Sequence, residues 1–338
     1  MKYQENVSLA TLTTMQLGGF AKYVVEITTE KDLVAAIEFA RERDLPWFVL
    51  GGGSNVIGRD DGFDGVIFLN KIKGIEVVSR NNNEFLIKCG SGEILDDLVA
   101  YSVSRGLTGI EAMSAIPGTV GGAVFQNSGA YGQDLSQVLV NVTAYDSEKQ
   151  TFVVFDYDQL NLSYRQSIFN SSAKSRYFIT TITIKLRPGQ ITGELYKSLQ
   201  IYLNERGITD RDPATIRRAV TDIRAGKLPD PAVEPSAGSF FHNVTLTNDE
   251  ATKLRAEYPN APIFTMNSQE VLAAGWLIEQ CGLKGKVLHG MRVSDKAALI
   301  LINDHARNYA DLAAAREEIL ATVKTKFNVT LEQEPENL

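Results

Sequence analysis

Two glycine-rich segments contain the residues whose types and spacing best suit phosphate binding. Residues 49–57 read VLGGGSNVI, so an apolar run leads into three glycines and two small polar residues. Glycine lets a backbone approach a ligand closely, and successive backbone N–H groups form a concave anion site. The segment matches neither G-x-G-x-x-G nor a Walker A loop, and a glycine-rich turn between strands is the alternative. The candidate phosphate-binding residues of this segment are Gly51, Gly52, Gly53, Ser54 and Asn55.

The second segment is residues 115–132, AIPGTVGGAVFQNSGAYG, in which five glycines follow Pro117. Two glycine-rich loops, each followed by small polar residues, suggest one ligand with two phosphates that is held from both sides. Apolar neighbours such as Ile116 are suited to cover an aromatic ring system. We therefore expect a dinucleotide-like cofactor outside a Rossmann fold, and a loop-rich connection is the alternative.

Ser239 in SAGSFFHN (236–243) and Arg165 in SYRQSIF (163–169) are candidates for chemistry on a substrate. The sequence offers no G-x-S-x-G elbow, which weakens the case for a serine nucleophile. A hydroxyl can instead give a proton to a carbanion or enolate, which is basic enough to accept it. An arginine can clamp a carboxylate through two hydrogen bonds. The alternatives are a serine in a tight turn and a solvated arginine.

The net charge of the chain leaves phosphate binding to a few local cations. A charge of −7 argues against a general nucleic-acid or membrane-surface binder, which needs a positive face. Arg224 and Lys227 stand just before a proline-rich segment and are candidates to meet a substrate phosphate. The acidic stretch EQEPE (332–336) lies near the chain end, so its composition predicts a frayed tail. The three histidines lack metal-ligand spacing, and we expect no metal site.

The elements that must position these residues do not alternate strictly between helix and strand. Early in the chain, apolar spacing predicts helices over 30–43 and 93–105 and strands over 46–50, 66–70 and 85–89. Strand signals dominate 139–186, and Asp212-Pro213 predicts the start of a helix. Later helices are expected near 247–258, near 270–281 and over 308–326. This order favours an α+β chain over a doubly wound parallel sheet.

Length and composition indicate a soluble protein of two domains. The proline-rich segment KLPDPAVEPSAG (227–238) is the predicted boundary. Cys89 and Cys281 are expected as reduced thiols, because nothing in the sequence indicates export. The sequence shows no signal-peptide pattern, and no apolar stretch approaches the ~18 residues that span a bilayer. We therefore expect a cytoplasmic protein that binds neither nucleic acid nor membrane.

Taken in order, seven stretches resemble the MurB family, the UDP-N-acetylenolpyruvoylglucosamine reductases of bacterial peptidoglycan synthesis. The resemblance covers about residues 10–334, and seven motifs in the correct order at plausible spacing are highly specific. The stretches are LGGGSNV (50–56), IPGTVGGAVFQNSGAYG (116–132), YRQSIF (164–169), KLPDP (227–231), AGSFFHN (237–243), AAGWLIEQCGLKG (273–285) and LEQE (331–334).

The resemblance implies a two-part FAD-binding domain of the vanillyl-alcohol oxidase or PCMH type and a separate α+β substrate-binding domain. The FAD-binding domain is expected over 1–226, with a core of about 17–188 and two subdomains split near 70. The substrate-binding domain is expected over 227–330, and 331–338 is expected to return to the active site. Non-covalently bound FAD, NADPH as co-substrate and a monomer are also implied.

The implied reaction reduces the enolpyruvyl group of UDP-N-acetylglucosamine enolpyruvate to UDP-N-acetylmuramate, for cell wall biogenesis, cell shape and cell division. Ser239 falls on the family's proton donor. Arg165 and Glu334 fall on the pair that polarises the substrate carboxylate, which requires an ordered Glu334. The implied FAD-binding residues are Gly51, Gly52, Gly53, Ser54, Asn55, Ile116, Pro117, Gly118, Thr119, Gly121, Gly122 and Arg224. The implied substrate-binding residues are Tyr131, Tyr164, Lys227, Asn243 and Lys284.

The sequence departs from the family pattern at some positions. Where the family usually has Lys-Asn-Pro, this chain has His242, Asn243 and Val244, so the local charge is weaker. Thr192 stands where some members carry a tyrosine that stacks on the nucleotide, and Tyr196 follows four residues later. Two alternatives remain: another FAD-dependent sugar or lactone oxidoreductase of the same fold, and a flavin- or nucleotide-binding regulatory protein without turnover.

Overall fold

The computed structural model describes residues 1–81, 83–266 and 269–338. Its chain forms two compact units. The first comprises Met1–Val7, Ala21–Gly52 and Asp64–Gly226, and the second comprises Ser8–Phe20, Gly53–Phe63 and Lys227–Leu338. Two short N-terminal segments therefore pack with the C-terminal part of the chain. The contiguous domain boundaries expected from the sequence stay a prediction.

Local capping signals determine where several helices begin. Thr29 caps the first helix and shares a reciprocal capping box with Asp32. Asp212 accepts a hydrogen bond from the backbone N–H of Thr215 at 2.8 Å, just before the helix that Pro213 begins. The helices are α1 (Glu30–Glu42), α2 (Leu95–Val103), α3 (Val120–Phe125), α4 (Lys197–Glu205), α5 (Pro213–Lys227), α6 (Asn248–Glu257), α7 (Ala274–Gln280) and α8 (Tyr309–Phe327).

The strands predicted over 46–50, 66–70 and 85–89 are present, each with slightly different ends. The helix expected near 270–281 begins only at Ala274, because the residues before it pair as a strand. The strands are β1 (Gln4–Ser8), β2 (Phe20–Ile27), β3 (Trp47–Leu50), β4 (Val56–Ile57), β5 (Phe63–Asn70), β6 (Ile75–Arg80), β7 (Phe85–Gly90), β8 (Leu107–Thr108), β9 (Gly129–Ala130), β10 (Gln133–Asp134), β11 (Leu139–Asp146), β12 (Thr151–Asp156), β13 (Tyr177–Pro188), β14 (Ser236–Ser239), β15 (Val244–Leu246), β16 (Ile263–Met266), β17 (Gln269–Leu272), β18 (Val287–Leu288), β19 (Met291–Val293), β20 (Ile300–Asn303) and β21 (Glu336–Asn337).

One sheet of the first unit has the strand order β1-β2-β5-β3, with β3 parallel to β5. Helix α1 packs on it through Leu33 and Ile37, which share a core with Phe68. A second sheet has the order β12-β11-β13-β7-β6, with antiparallel pairs. Phe178 and Ile182 of β13 are fully buried, Phe178 in the core shared with α1 and Ile182 in the core shared with α2 and α3.

Helices α2 and α3 share a core with the antiparallel sheet of the first unit. Leu98 of α2 and Val124 of α3 are fully buried in one cluster with Ile182 and Ile184 of β13. The second glycine-rich segment leads directly into α3, so this packing fixes where the segment lies. Nearby, α4 and α5 form a smaller core in which Leu199 and Ile216 pack with Ala112.

The second unit contains a sheet of order β14-β20-β19-β18 and a smaller sheet of order β15-β17-β16. Its core joins Phe240 and Phe241, which follow β14, to Leu277 of α7 and Ile319 of α8. At the C-terminus, β21 pairs in parallel with β4.

The frayed tail predicted from composition is wrong. Leu331 is 3% exposed and Leu338 is 5% exposed, so apolar residues on both sides of the acidic stretch are buried. The N–H of Leu338 also donates to the carbonyl oxygen of Ile57 at 2.8 Å. Burial and strand pairing together outweigh the tendency of a charged chain end to fray.

Both cysteines are free thiols, which agrees with the predicted reduced state. Cys89 is buried, and burial raises its pKa to about 12. Among the described residues, none of the helices combines the length and apolar character needed to cross a membrane.

Candidate active site

The two glycine-rich segments lie against each other within the first unit. A side chain at Gly51 would collide with the hydroxyl of Thr119, and a Cβ on Gly52 would lie 2.8 Å from Cα of Gly118. Both contacts are too close for any residue with a side chain. The structure therefore brings together the segments that the sequence analysis assigned to one ligand, and close backbone approach explains two of the glycines.

Gly121 and Gly122 begin α3 and differ in what surrounds them. A Cβ on Gly121 would lie 3.0 Å from Cβ of Ser91, so close packing requires a small residue there. Gly122 is exposed, and among the described residues an added Cβ there would meet the Thr119 hydroxyl alone, at 3.5 Å. Packing among the described residues thus does not require glycine at position 122, and its backbone is open to a ligand.

Gly53, Ser54 and Asn55 belong to the second unit. Gly53 has φ 64°, and a side chain there would collide with the carbonyl oxygen of Leu12. The carbonyl of Gly53 accepts a hydrogen bond from the N–H of Thr14 at 3.0 Å. Ser54 and Asn55 are half-buried. The first glycine-rich segment therefore contributes residues to both units.

Arg224 on α5 supplies buried positive charge in the first unit. Its Nε is buried and has no hydrogen-bond partner among the described residues. Burial lowers the pKa of the Arg224 guanidinium, while the neighbouring Tyr131 and Asp96 oppose that change. Burial also raises the pKa of Tyr131. A desolvated guanidinium with an unused donor suits an anionic ligand, so these residues fit a phosphate-bearing cofactor or substrate.

Tyr131 and Tyr196 form an aromatic pair near this charge. Their ring centroids are 5.7 Å apart, with the planes close to perpendicular. Tyr196 is 53% exposed, so its ring is accessible to solvent.

Arg165 is held against the second glycine-rich segment. Its Nη2 donates to the carbonyl oxygen of Gly129 at 3.2 Å, and its own carbonyl accepts from Nδ2 of Asn170 at 2.9 Å. The guanidinium carbon lies 4.9 Å from the centre of the Tyr164 ring. These contacts favour a fixed arginine over a solvated one.

Several non-glycine residues in or beside the second segment have positive φ. Each adopts a backbone conformation that costs an L-residue roughly 1–2 kcal/mol. Such strain is characteristic of functional sites. The residues are Ala115 (58°), Asn127 (43°), Tyr131 (49°) and Arg165 (54°).

In the second unit, Ser239 ends β14 and lies opposite Ile300 of β20. The preceding Gly238 has φ 70°, a conformation that glycine adopts without strain. Residues 332–334 run beside 240–242: the N–H of Glu334 donates to the carbonyl of Phe240 at 3.0 Å. The structure thus brings Glu334 next to the segment that carries Ser239.

The side chain of Glu334 is 10% exposed and approaches an imidazole. Its Oε2 lies 3.5 Å from Nδ1 of His242. The N–H of His242 in turn donates to the carbonyl of Glu332 at 2.9 Å. Backbone and side-chain contacts therefore hold Glu334 from two directions.

Two of the remaining substrate-binding candidates of the second unit, Asn243 and Lys284, have local partners. Oδ1 of Asn243 accepts the N–H of Ala274 at 3.1 Å, at the start of α7. Lys284 pairs with Glu279 at 3.0 Å, and Lys227 is the exposed last residue of α5. No contact among the described residues joins either lysine to Ser239.

Sequence reasoning missed one pair at the glycine-rich segment. Asp96 on α2 and Arg217 on α5 form a doubly hydrogen-bonded ion pair, with distances of 2.6 and 2.8 Å. Nothing local marks either residue, because the pair forms across 121 positions of sequence.

Comparison with known proteins identifies the family. A family model described as the FAD binding domain matches residues 21–153, and one described as the C-terminal domain of UDP-N-acetylenolpyruvoylglucosamine reductase matches residues 230–338. The UDP-N-acetylenolpyruvoylglucosamine reductase of Dechloromonas aromatica is 37% identical over 339 residues, which is 99% of each chain. That of Cupriavidus pinatubonensis is 38% identical over 320 residues, which is 93% of each chain.

The fold agrees with these matches. The crystal structure of UDP-N-acetylenolpyruvylglucosamine reductase (MurB) from Thermus caldophilus is similar with a TM-score of 0.69 and 23% identity, over 100% of this chain and 99% of that one. The predicted α+β fold, with an FAD-binding domain and a separate second domain, is confirmed. The chain belongs to the UDP-N-acetylenolpyruvoylglucosamine reductase (MurB) family.

Proposed function

We propose that this chain reduces the enolpyruvyl group of UDP-N-acetylglucosamine enolpyruvate to UDP-N-acetylmuramate, with NADPH as the reductant. The observation that carries the proposal is the hydrogen bond from Glu334 to Phe240, the residue after Ser239, in a chain of the reductase family. Bound FAD would supply hydride transfer from NADPH to the substrate double bond, and the two glycine-rich segments with Arg224 would hold it. The chain itself must bind both substrates in turn, orient the vinyl group and supply a proton.

Ser239 is the proposed proton donor. Hydride addition to one vinyl carbon leaves negative charge on the neighbouring carbon, which the adjacent carboxylate delocalises as an enolate. That carbon is basic enough to take the proton of a hydroxyl, although a serine is too weak an acid for most acceptors. Ser239 Oγ would give its proton to this carbon, so the double bond gains one hydride and one proton.

Arg165 and Glu334 are the proposed partners of the substrate carboxylate. The guanidinium of Arg165 would donate hydrogen bonds to that carboxylate and stabilise the charge that develops on it. Such stabilisation is worth about 3 kcal/mol in a site without water. The contacts of Arg165 with Gly129 and Tyr164, and of Glu334 with Phe240 and His242, support fixed positions for both groups.

The remaining candidates are assigned to binding. The open surface at Gly122 and the contact between the two glycine-rich segments support a pyrophosphate site there. Arg224 supplies a buried positive charge for that pyrophosphate. We assign substrate contacts to Tyr131, Tyr164, Lys227, Asn243 and Lys284. The pyrophosphate site comprises Gly51, Gly52, Gly53, Ser54, Asn55, Ile116, Pro117, Gly118, Thr119, Gly121, Gly122 and Arg224.

The two free thiols support a reducing compartment, so we place the reaction in the cytoplasm. We also propose that the protein acts as a monomer. Light scattering coupled to size-exclusion chromatography tests this directly, and a mass twice that of the chain would contradict it.

An anaerobic absorbance titration tests the proposed reaction. NADPH should bleach the flavin band of the purified protein, and UDP-N-acetylglucosamine enolpyruvate should restore it. A protein that neither carries nor takes up FAD would overturn the proposal. Bleaching that the sugar nucleotide cannot reverse, but oxygen can, would instead support another FAD-dependent oxidoreductase of the same fold.

A further inference from the structure

Asp96 is bonded to the backbone at the start of the second glycine-rich segment. Its Oδ1 accepts the N–H of Ala115 at 2.6 Å, two residues before Pro117. Ala115 has φ 58°, in the left-handed region that alanine rarely adopts. A hydrogen bond from the strained residue to a carboxylate therefore stabilises the conformation that starts the segment.

The same turn of α2 is bonded to the segment at further points. The N–H of Leu95 donates to the carbonyl of Gly118 at 3.1 Å, and Ile94 pairs with Thr119 as an antiparallel bridge. The N–H of Val120 donates to the carbonyl of Glu93 at 2.8 Å. Hydrogen bonds with residues 93–96 thus fix the backbone of residues 115–120.

Arg217 also binds the carboxylate of Asp96. Its two terminal nitrogens donate to the two carboxylate oxygens, and Nη1 also donates to the hydroxyl of Ser114 at 3.1 Å. Burial alone would raise the pKa of Asp96, but the hydrogen bonds from Arg217 and Ala115 hold it below its ordinary value. The carboxylate is therefore ionised at neutral pH and accepts hydrogen bonds from both Arg217 and Ala115.

Arg217 lies on the same helix as Arg224, the buried cation of the proposed pyrophosphate site, and so connects that helix to the segment. The two arginines are seven residues apart on α5, which places them on the same face of the helix. Asp96 lies close enough to interact electrostatically with both.

We propose that Asp96 and Arg217 are positioning residues for FAD, which hold the glycine-rich segment in its binding conformation through Ala115 and align α5 with it. This inference rests on the proposed role of residues 116–122 in binding the pyrophosphate. Neither residue needs to contact the cofactor. The proposed role of Asp96 and Arg217 is in FAD binding and leaves the assigned reaction steps as they are.

A second ion pair in the same unit provides a matched control. Arg176 donates to both oxygens of Asp146 at 3.1 and 2.7 Å, and Asp146 accepts backbone N–H groups of Glu148 and Lys149. The chemistry is the same, but this pair holds the turn between β11 and β12. Loss of this pair should affect folding without a selective effect on FAD.

The experiment measures the FAD dissociation constant of full-length apoprotein by flavin fluorescence, together with the melting temperature of the apoprotein. Wild-type binding of FAD tests the proposed site, and the differences among variants test this inference. Asp96→Asn should weaken FAD binding about tenfold, the cost of one strained residue. Asp146→Asn should lower the melting temperature but leave FAD affinity within about threefold of wild type.

A rescue variant separates positioning from a merely structural role. Glycine adopts positive φ without strain, so Ala115→Gly in the Asp96→Asn background should recover most of the lost FAD affinity. Equal effects of Asp96→Asn and Asp146→Asn on FAD affinity, or no recovery with Ala115→Gly, would overturn the inference. If Asp96→Asn does not fold, Arg217→Lys replaces it, since lysine keeps the charge but loses the two-pronged geometry. Weaker FAD binding by Arg217→Lys supports the inference and unchanged binding overturns it.

Discussion

Glu334 donates its backbone N–H to the carbonyl oxygen of Phe240, the residue after Ser239, at 3.0 Å. The C-terminal segment therefore runs beside the chain that carries the proposed proton donor. Backbone pairing fixes Glu334 more firmly than a side-chain contact alone, because Gln333 and Phe241 also form an antiparallel bridge. The placement of this glutamate consequently depends on how the last residues are anchored.

Removal of residues 336–338 should lower both stability and turnover. The deletion removes the burial of Leu338 and the hydrogen bonds that Glu336 and Leu338 make with Asn55 and Ile57. We expect a loss of about 2–4 kcal/mol in the free energy of unfolding, measured by urea denaturation. The turnover of the protein that remains folded should also fall, because the deletion removes the contacts that hold the segment carrying Glu334.

Asn337→Ala is the control for this deletion, because Asn337 is exposed and its side chain gives up a hydrogen bond with Gln333 while the backbone pairing stays. It should change the free energy of unfolding by less than about 0.5 kcal/mol. A truncated protein as stable and active as wild type would show that the tail does not position Glu334.

Gly122→Ala should weaken FAD binding without destabilising the apoprotein. The added methyl group meets only the Thr119 hydroxyl at 3.5 Å, and alanine favours a helix over glycine by roughly 0.5–1 kcal/mol. The melting temperature of the apoprotein should stay equal or rise, while FAD affinity falls at least about tenfold. Gly121→Ala is the contrasting variant, because its methyl group would crowd Ser91 and lower apoprotein stability. Full FAD affinity in Gly122→Ala would show that the cofactor does not lie on this backbone.

Asp146→Asn should destabilise the protein at neutral pH. It should also make the free energy of unfolding decrease less steeply as the pH falls. Hydrogen bonds from Arg176 hold the pKa of the fully buried Asp146 below its ordinary value. A depressed carboxyl pKa stabilises the fold above the unfolded-state pKa, and this contribution is lost as pH falls through the folded-state pKa. We expect a loss of about 3 kcal/mol at pH 7 and a shallower decrease below about pH 4.

Asp64→Asn is the matched control for that variant. Asp64 pairs with Lys22 at 2.8 Å, but the aspartate side chain is 85% exposed, so the pair contributes little. Chemical denaturation from pH 3 to pH 7 compares the two variants. Equal effects of both would contradict the assigned contribution of the buried pair.

The two cysteines should differ in reactivity. Burial raises the pKa of Cys89 to about 12 and also raises the pKa of Cys281, whose side chain is only half-buried and therefore more accessible. Because the thiolate is the reactive form, a thiol reagent at pH 8 should modify Cys281 before Cys89. Mass spectrometry of partly modified protein identifies the site. Prior modification of Cys89 in native protein would contradict its buried position.

Local signals in the sequence predicted much of the fold. Asp212 and Pro213 mark a helix start through chemistry that involves only adjacent residues. The contact between the two glycine-rich segments was also foreseeable, because both have the composition of backbone-binding loops. Such features depend on a few adjacent residues, so they can be recognised without the tertiary structure.

Features that depend on distant partners were not foreseeable. Residues Gln269–Leu272 form a strand because β15 and β16 pair with it, although the apolar residues that begin at Val271 and continue into α7 also suit a helix. The acidic tail is ordered because Leu338 is buried and bonded to residues far earlier in the chain. Ala115 gives no sign of its positive φ, which tertiary hydrogen bonding to Asp96 stabilises.

The most direct measurement compares the two half-reactions of Ser239→Ala by stopped-flow absorbance. Bleaching of the flavin band by NADPH should proceed at the wild-type rate, since no proton from Ser239 is needed. Recovery of the band with UDP-N-acetylglucosamine enolpyruvate should slow by about 10²–10⁴-fold. Ser236→Ala on the same strand is the control and should keep both rates. Recovery at the wild-type rate in Ser239→Ala would contradict the assignment of Ser239 as proton donor.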